Sequence, residues 1–114
     1  MLDVKPDIVS ELSEILPTYY EQFVDSTVST PCISYFEYNN VQNETGDTLV
    51  YSEVTYCVKV WGKSVKDVAD YSLLVDDTMS RLGFRRLSAN ELVNDGLICK
   101  VLLYRALGLE TKEI

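Results

Sequence analysis

The chain has 114 residues, 46% hydrophobic and 25% charged, with 18 acids, 10 bases and no histidine. That length suits one domain, and surface scaling gives roughly 6,300 Å² of folded surface against roughly 18,700 Å² extended, enough burial for a core without disulfides or a structural metal. A net charge of −8 argues against wrapping nucleic acid. The lack of His removes the commonest neutral-pH general base and zinc nitrogen ligand, and with it every Ser-His-Asp or Cys-His arrangement.

In chain order, residues 6–16 read as a helix. Pro6 suits a first turn and Asp7 complements the helix dipole. Ile8, Leu12, Ile15 and Leu16 recur at helical spacing until Pro17 ends the run. Residues 18–24 read as an aromatic and β-branched strand of imperfect alternation, and 25–31 as a polar connection. Residues 32–38 alternate as a strand, with Ile33, Tyr35 and Glu37 on one face. Residues 39–48 are polar and predict a long hairpin loop. Residues 49–61 give the clearest strand, with Val50, Val54, Tyr56, Val58 and Val60 on one parity.

Residues 64–82 predict a second helix. Ser64 is the candidate cap with Asp67 three positions on, Val65, Val68, Ser72, Val75, Met79 and Leu82 form its stripe, and Gly83 is its stop signal. Residues 84–88 read as a short strand and 89–96 as a polar link. Residues 97–107 permit a strand or a helix. A strand is favoured because Asn94-Asp95-Gly96 can turn the chain back. Residues 108–114 are expected to fray.

The predicted class is therefore α+β, in the order α-β-β-β-α-β-β. Four or five mostly antiparallel strands carry both helices on one face, and the free face is expected to be rich in Tyr, Thr and Lys. The whole of 1–114 is read as a single domain.

The charge is uneven: residues 1–58 hold ten acids and one base, Lys5, whereas residues 59–114 hold eight acids and nine bases. Cys32, Cys57 and Cys99 lack metal-ligand spacing and read as buried free thiols. Residues 1–11 lack the apolar core of a signal peptide, and no apolar run approaches the ~18 residues of a membrane span. No phosphate-loop, dinucleotide-binding, metalloprotease or calcium-loop motif is present.

Two carboxylate groupings can be weighed as hard-cation or acid–base sites: Asp67, Asp70 and Asp77 with the adjacent Asp76, and Glu11 with Glu14. A solvated helix face explains both. No catalytic residue, cofactor or metal is assigned, and an enzyme using these carboxylates is the weakest of the functional alternatives. Arg85 and Arg86 point to opposite faces of a strand. With Arg81 they suit pairing with an acidic neighbour, or simple solubility. Eight tyrosines exceed what such a core needs, and amphipathic aromatics are enriched at interfaces.

Several phrases resemble the tail completion or tail terminator proteins of long-tailed phages and prophages. They are Leu16-Pro17-Thr18-Tyr19-Tyr20 after an early helix, Pro31-Cys32-Ile33-Ser34-Tyr35-Phe36-Glu37, the run Tyr51 to Trp61, and Met79 to Arg86. The resemblance spans about residues 5–107 in order and spacing. It implies a structural virion-assembly protein that forms a ring, expected to be a hexamer, caps the tail tube and joins it to the head connector. The implied partners are other copies of the chain, the tail tube protein and the head–tail connector, with no sequence-specific nucleic-acid binding and no membrane. The implied place is the host cytoplasm during assembly and then the tail–head junction of the virion. Tyr19, Tyr20, Tyr38, Asn40, Asn43, Glu44, Asp47, Tyr51, Arg81, Arg85 and Arg86 are the candidate interface residues. A head–tail adaptor, a minor tail protein or a small intracellular interaction module are the alternatives.

Overall fold

The alternation at residues 50–60 demands cover for one face, and two helices supply it. The computed structural model describes residues 5–20, 29–44, 49–94 and 96–111. The elements are α1 (Lys5–Leu12), β1 (Thr18–Tyr20), β2 (Cys32–Glu44), β3 (Leu49–Gly62), α2 (Val65–Arg81), β4 (Arg85–Asn94) and β5 (Leu97–Thr111). The sheet has five strands in the order β1-β2-β3-β5-β4. Only β1–β2 is parallel; the other three pairs are antiparallel. The predicted α+β class, element order and strand character of residues 97–107 are all observed.

One core joins the sheet to the helices. Ile8 and Leu12 from α1, and Val68, Val75 and Met79 from α2, pack with Ile33, Tyr35, Val54, Tyr56, Val58, Val60, Leu102 and Tyr104. The registers Tyr35↔Val58↔Leu102 and Tyr56↔Tyr104 show that these strand residues share a face. Both helices therefore lie on one side of the sheet.

The caps follow the sequence signals. The Ser64 side chain accepts the Asp67 backbone N–H, at 3.4 Å. At the other end, Phe84 N–H donates to Met79 C=O and Gly83 N–H to Ser80 C=O. Gly83 sits at φ +92°, which closes the left-handed glycine cap while Phe84 returns to the core.

Four boundaries depart from the sequence reading. Helix α1 ends at Leu12, because residues 13–16 tighten into turn geometry, with Ile15 N–H on Leu12 C=O; Leu16 still reaches the core. Strand β1 is observed over Thr18–Tyr20, and the rest of the expected strand, residues 21–24, lies outside the described residues. The expected loop at 39–48 is largely strand: Asn39–Glu44 pairs in register with Thr55–Val50, and 45–48 lie outside the described residues. The expected link at 89–96 is likewise strand as far as Asn94, paired with β5. In both places backbone hydrogen bonds to a strong neighbouring strand override a polar sequence. Residues 108–111, expected to fray, continue β5 against β3; 112–114 lie outside the described residues.

The free face also differs from expectation. It carries Cys32, Ser34 and Phe36 of β2, Thr55, Cys57, Lys59 and Trp61 of β3, and Cys99, Val101 and Leu103 of β5, by register. Tyr35, Tyr56 and Tyr104 instead lie in the core. Small thiol and hydroxyl groups are buried beneath larger neighbours: Trp61 Nε1–H donates to Ser34 Oγ at 2.9 Å, and Lys59 lies 5.7 Å from the centre of the Phe36 ring.

Beyond the row Asn40–Val54–Ala106, strands β2, β3 and β5 continue together as a three-stranded arm. The molecule is accordingly long, 52 × 23 × 22 Å, with a radius of gyration of 15.5 Å against about 13 Å for a compact chain of this length.

Gly62 marks a close approach. A Cβ there would lie 2.8 Å from Val68 Cγ2, and Val68 is fully buried in the first turns of α2. Gly62→Ala is expected to cost about 1–3 kcal/mol, read as a lowered urea midpoint. An unchanged midpoint would mean that α2 shifts freely on the sheet.

Candidate functional site

Most of the candidate interface residues fall on opposite edges of the sheet, whereas Tyr51 belongs to the central strand β3. At one edge, Tyr19 and Tyr20 of β1 are exposed, and Tyr20 stacks edge-on to Tyr35 at 5.1 Å. Strand β1 pairs only with Ile33–Tyr35, so among the described residues β2 has no strand on that side beyond Tyr35. Tyr38 is the extra residue of a bulge between Glu37 and Asn39 and is 63% exposed. A bulge at an edge twists the strand and re-aims its side chain. Asn40 Nδ2 donates to Glu37 Oε1, and Tyr56 Oη donates to the same oxygen. Asn43 and Glu44 lie further out on the arm, in register with Tyr51 and Val50 of β3. Asp47 lies outside the described residues. Glu11 of α1 is half-buried, and Asp7 and Glu14 are exposed. Between Lys5 and Lys59 the chain has no Lys or Arg, so β1 and β2 bring aromatics and carboxylates to this edge and no base.

The opposite edge is β4 with the outer side of α2. Arg85 and Arg86 pair in register with Arg105 and Tyr104, and therefore face opposite sides of the sheet, as their adjacency predicts. Arg86 Nη1 reaches Asp76 Oδ1 at 3.3 Å, and Tyr104 Oη donates to the same Asp76 oxygen at 3.0 Å. This cluster ties α2 to β4 and β5. Arg81 instead pairs with Asp77 one turn back on α2, at 3.3 Å, and also donates to Thr78 Oγ1. Both pairs are partly exposed and hold position more than they add stability. Arg85 has no ion-pair partner among the described residues.

Sequence reasoning missed the apolar part of this edge. Leu87, Leu92 and Val93 of β4 and Leu73 and Leu74 of α2 are all exposed. A long edge strand with uncovered apolar side chains invites a partner. The available signal was the β-prone Leu92-Val93 pair inside a segment read as a link. Between α2 and β4 runs a groove of about 310 Å³, lined by Ala69, Ser72 and Leu73 on one side and by Arg86, Ala89, Lys100 and Leu102 on the other.

The carboxylates do not converge. Asp76 and Asp77 are engaged by Arg86 and Arg81. Among the described residues, no group of three or more Cys, Asp or Glu is placed to hold a metal ion, and no helix is long and apolar enough to cross a membrane.

Cys32, Cys57 and Cys99 are free and buried, as the sequence predicts. Burial raises all three thiol pKa values, Cys99 to about 11. Burial, then the hydrogen bond to Asp76, raises that of Tyr104. The folded state thus keeps protons that the unfolded chain releases from about pH 9 upward. Stability is complete below that pH and falls as pH rises toward 11. Cys99 alone contributes on the order of 2–3 kcal/mol of that loss, at 1.36 kcal/mol per pKa unit. Thermal melts at pH 8 and pH 11 should show a large drop that Cys99→Ala reduces. Parallel curves for the two proteins would refute this role for the thiol.

The fold defines a small α+β protein whose sheet has two chemically contrasting edges. No family model matches the sequence, and no curated protein matches it. The fold is similar to that of a chain in the structure of the virion of a native gene transfer agent particle, with a TM-score of 0.60 and 12% sequence identity, covering 88% of this chain and 82% of that one. At this identity the likeness is one of fold.

Proposed function

We propose that this protein is a structural component of a phage-like virion, which assembles head-to-tail into a ring, closes the end of the tail tube and joins it to the head connector. The carrying observation is the placement of contrasting surfaces on opposite edges of one sheet. An acidic, tyrosine-rich edge faces one way; an arginine-bearing, apolar edge faces the other. Such an arrangement favours heterologous contacts, which close into a ring when the rotation per copy divides a full turn. A hexamer is the expected closure.

The fold likeness to a virion chain supports the same reading, as do the absence of His and of any catalytic motif. The ring forms in the host cytoplasm and is retained at the tail–head junction. An acidic lumen repels DNA and keeps it from adhering during passage.

Negative-stain electron microscopy tests this directly. The protein, alone at high concentration and mixed with assembled tail tubes, should give closed rings and tubes capped at one end. A compact two-fold dimer that never caps tubes would contradict the reading.

A further inference from the structure

We propose that the uncovered face of the sheet is the seat for the outer side of helix α2 from the next copy of this chain, an inference that rests on the head-to-tail reading above and names a contact beyond the strand edges. An antiparallel sheet with one face in water alternates apolar and polar residues. Strand β5 does not: Ile98, Leu102 and Tyr104 enter the core, while Leu97, Cys99, Val101 and Leu103 lie on the other face. Phe36 of β2 and Trp61 of β3, both half-buried, share that face by register. Tyr19, in register with Ser34, extends it to the β1–β2 edge. The face is also a basic part of an acidic chain. Among the described residues its charged side chains are Lys59, Arg85, Arg105 and Glu53. Arg105 is paired with Glu53 at 3.4 Å, whereas Lys59 and Arg85 have no ion-pair partner among the described residues.

Helix α2 carries the complement. Its buried side is Val68, Ser72, Val75, Thr78 and Met79. On the opposite side Leu73 and Leu74 are exposed, at 69% and 52%. Asp70 precedes them by one turn and has no ion-pair partner among the described residues; Lys66 lies a further turn back. Positions three and four apart share a helix surface, so Asp70, Leu73 and Leu74 form one patch. Laid on the sheet, the leucines cover Phe36, Val101 and Leu103, and Asp70 meets Lys59. A carboxylate gains more beside an ammonium group flanked by apolar side chains than on open surface. A chain's own α2 cannot fill the seat, because it covers the opposite face of its own sheet. Two free faces packed together would join surfaces that are both basic, which leaves the helix of an adjacent copy. Leu73 borders β4 across the groove and Tyr19 borders β2, so the two surfaces are continuous with the two edges. They are unlike, and the contact is heterologous, as a ring requires.

Trp61 reports on this contact. It is the only tryptophan and stands on β3, the middle strand of five, so contact through strand edges alone leaves it as open as in the monomer. Acrylamide quenching of its fluorescence should fall at least twofold over the concentration range in which sedimentation velocity shows the full chain associating. Leu73→Lys combined with Leu74→Lys, with circular dichroism confirming the fold, should weaken association at least tenfold and keep quenching at the monomer level. Lys59→Glu and Asp70→Lys should each weaken association, and the double variant should recover to within about threefold of the parent. Association that leaves Trp61 as quenchable as in the monomer would overturn this seat while leaving ring formation through the edges intact. Protection of Trp61 that survives in the Leu73 and Leu74 variant would mean that a face-to-face pair or another segment covers the sheet, and would overturn it as well. A parent chain that never associates, alone or on tail tubes, would remove the ring reading and this inference together.

Discussion

Tyr56→Ala should unfold a large fraction of the protein under mild denaturant. Tyr56 is fully buried at the centre of β3. Its ring lies 6.3 Å from Tyr35 and 5.8 Å from Phe84, and Tyr35 in turn meets Tyr20. This chain of aromatics runs from the β1 edge through the core to the end of α2. Truncation leaves a large cavity and costs about 3–5 kcal/mol, against a total stability of about 5–15 kcal/mol for a domain. Its hydroxyl also donates to Glu37 Oε1, at 3.4 Å, so the variant loosens the start of the bulged edge. Urea unfolding followed by circular dichroism would read the effect as a large fall in midpoint. Tyr38→Ala, at a position 63% exposed, should stay within about 0.5 kcal/mol of the parent. Equal losses for the two variants would mean that the core does not centre on Tyr56.

The second large effect concerns assembly, with folding spared. Arg85→Glu combined with Val93→Glu places two acids on the β4 edge. Both positions are exposed, Val93 at 74%, so the urea midpoint should hold. If this edge meets the acidic side of the next copy, the variant replaces attraction and apolar burial with repulsion. Self-association should fall about 100-fold, equivalent to about 2.7 kcal/mol. Light scattering across a concentration series would measure it. Unchanged association would exclude β4 from the contact.

How far the sequence reveals this molecule depends on where side chains, rather than backbone, decide the structure. The alternation of Val54, Tyr56, Val58 and Val60 reflects one buried face, and the Ser64 cap and Gly83 stop are local chemistry, so β3 and α2 are legible. Residues 39–44 and 89–94 are not. Their strand pairing is imposed by β3 and β5, while their own residues are polar or mixed, so their sequence imitates a loop. The site suffers from the same cause. Tyr38 reads as an interface residue by its type, yet its bulge is visible only in the register. Arg85 and Arg86 are legible as a doublet, but the exposed Leu92 and Val93 beside them disappear into an apparent link. Lys100 looks like a blemish in an apolar run until β4 is extended alongside it. The free face holds fewer tyrosines than the composition suggests, because Tyr35, Tyr56 and Tyr104 lie on the core side of the sheet with the valines.

The central claim is that copies join head-to-tail through unlike edges, and a mixing experiment on native mass spectrometry tests it most directly. One variant, Arg85→Glu with Val93→Glu, disables the β4 edge. A second, Tyr19→Ala with Tyr38→Ala, removes exposed aromatic anchors from the β1–β2 edge and adds no charge that could pair with the new acids. Each alone should remain monomeric at concentrations where the parent forms rings. Mixed in equal amounts, they should give a one-to-one dimer that grows no further, because each contributes its one intact edge. Either variant dimerising by itself, or a mixture that remains wholly monomeric, would contradict head-to-tail assembly.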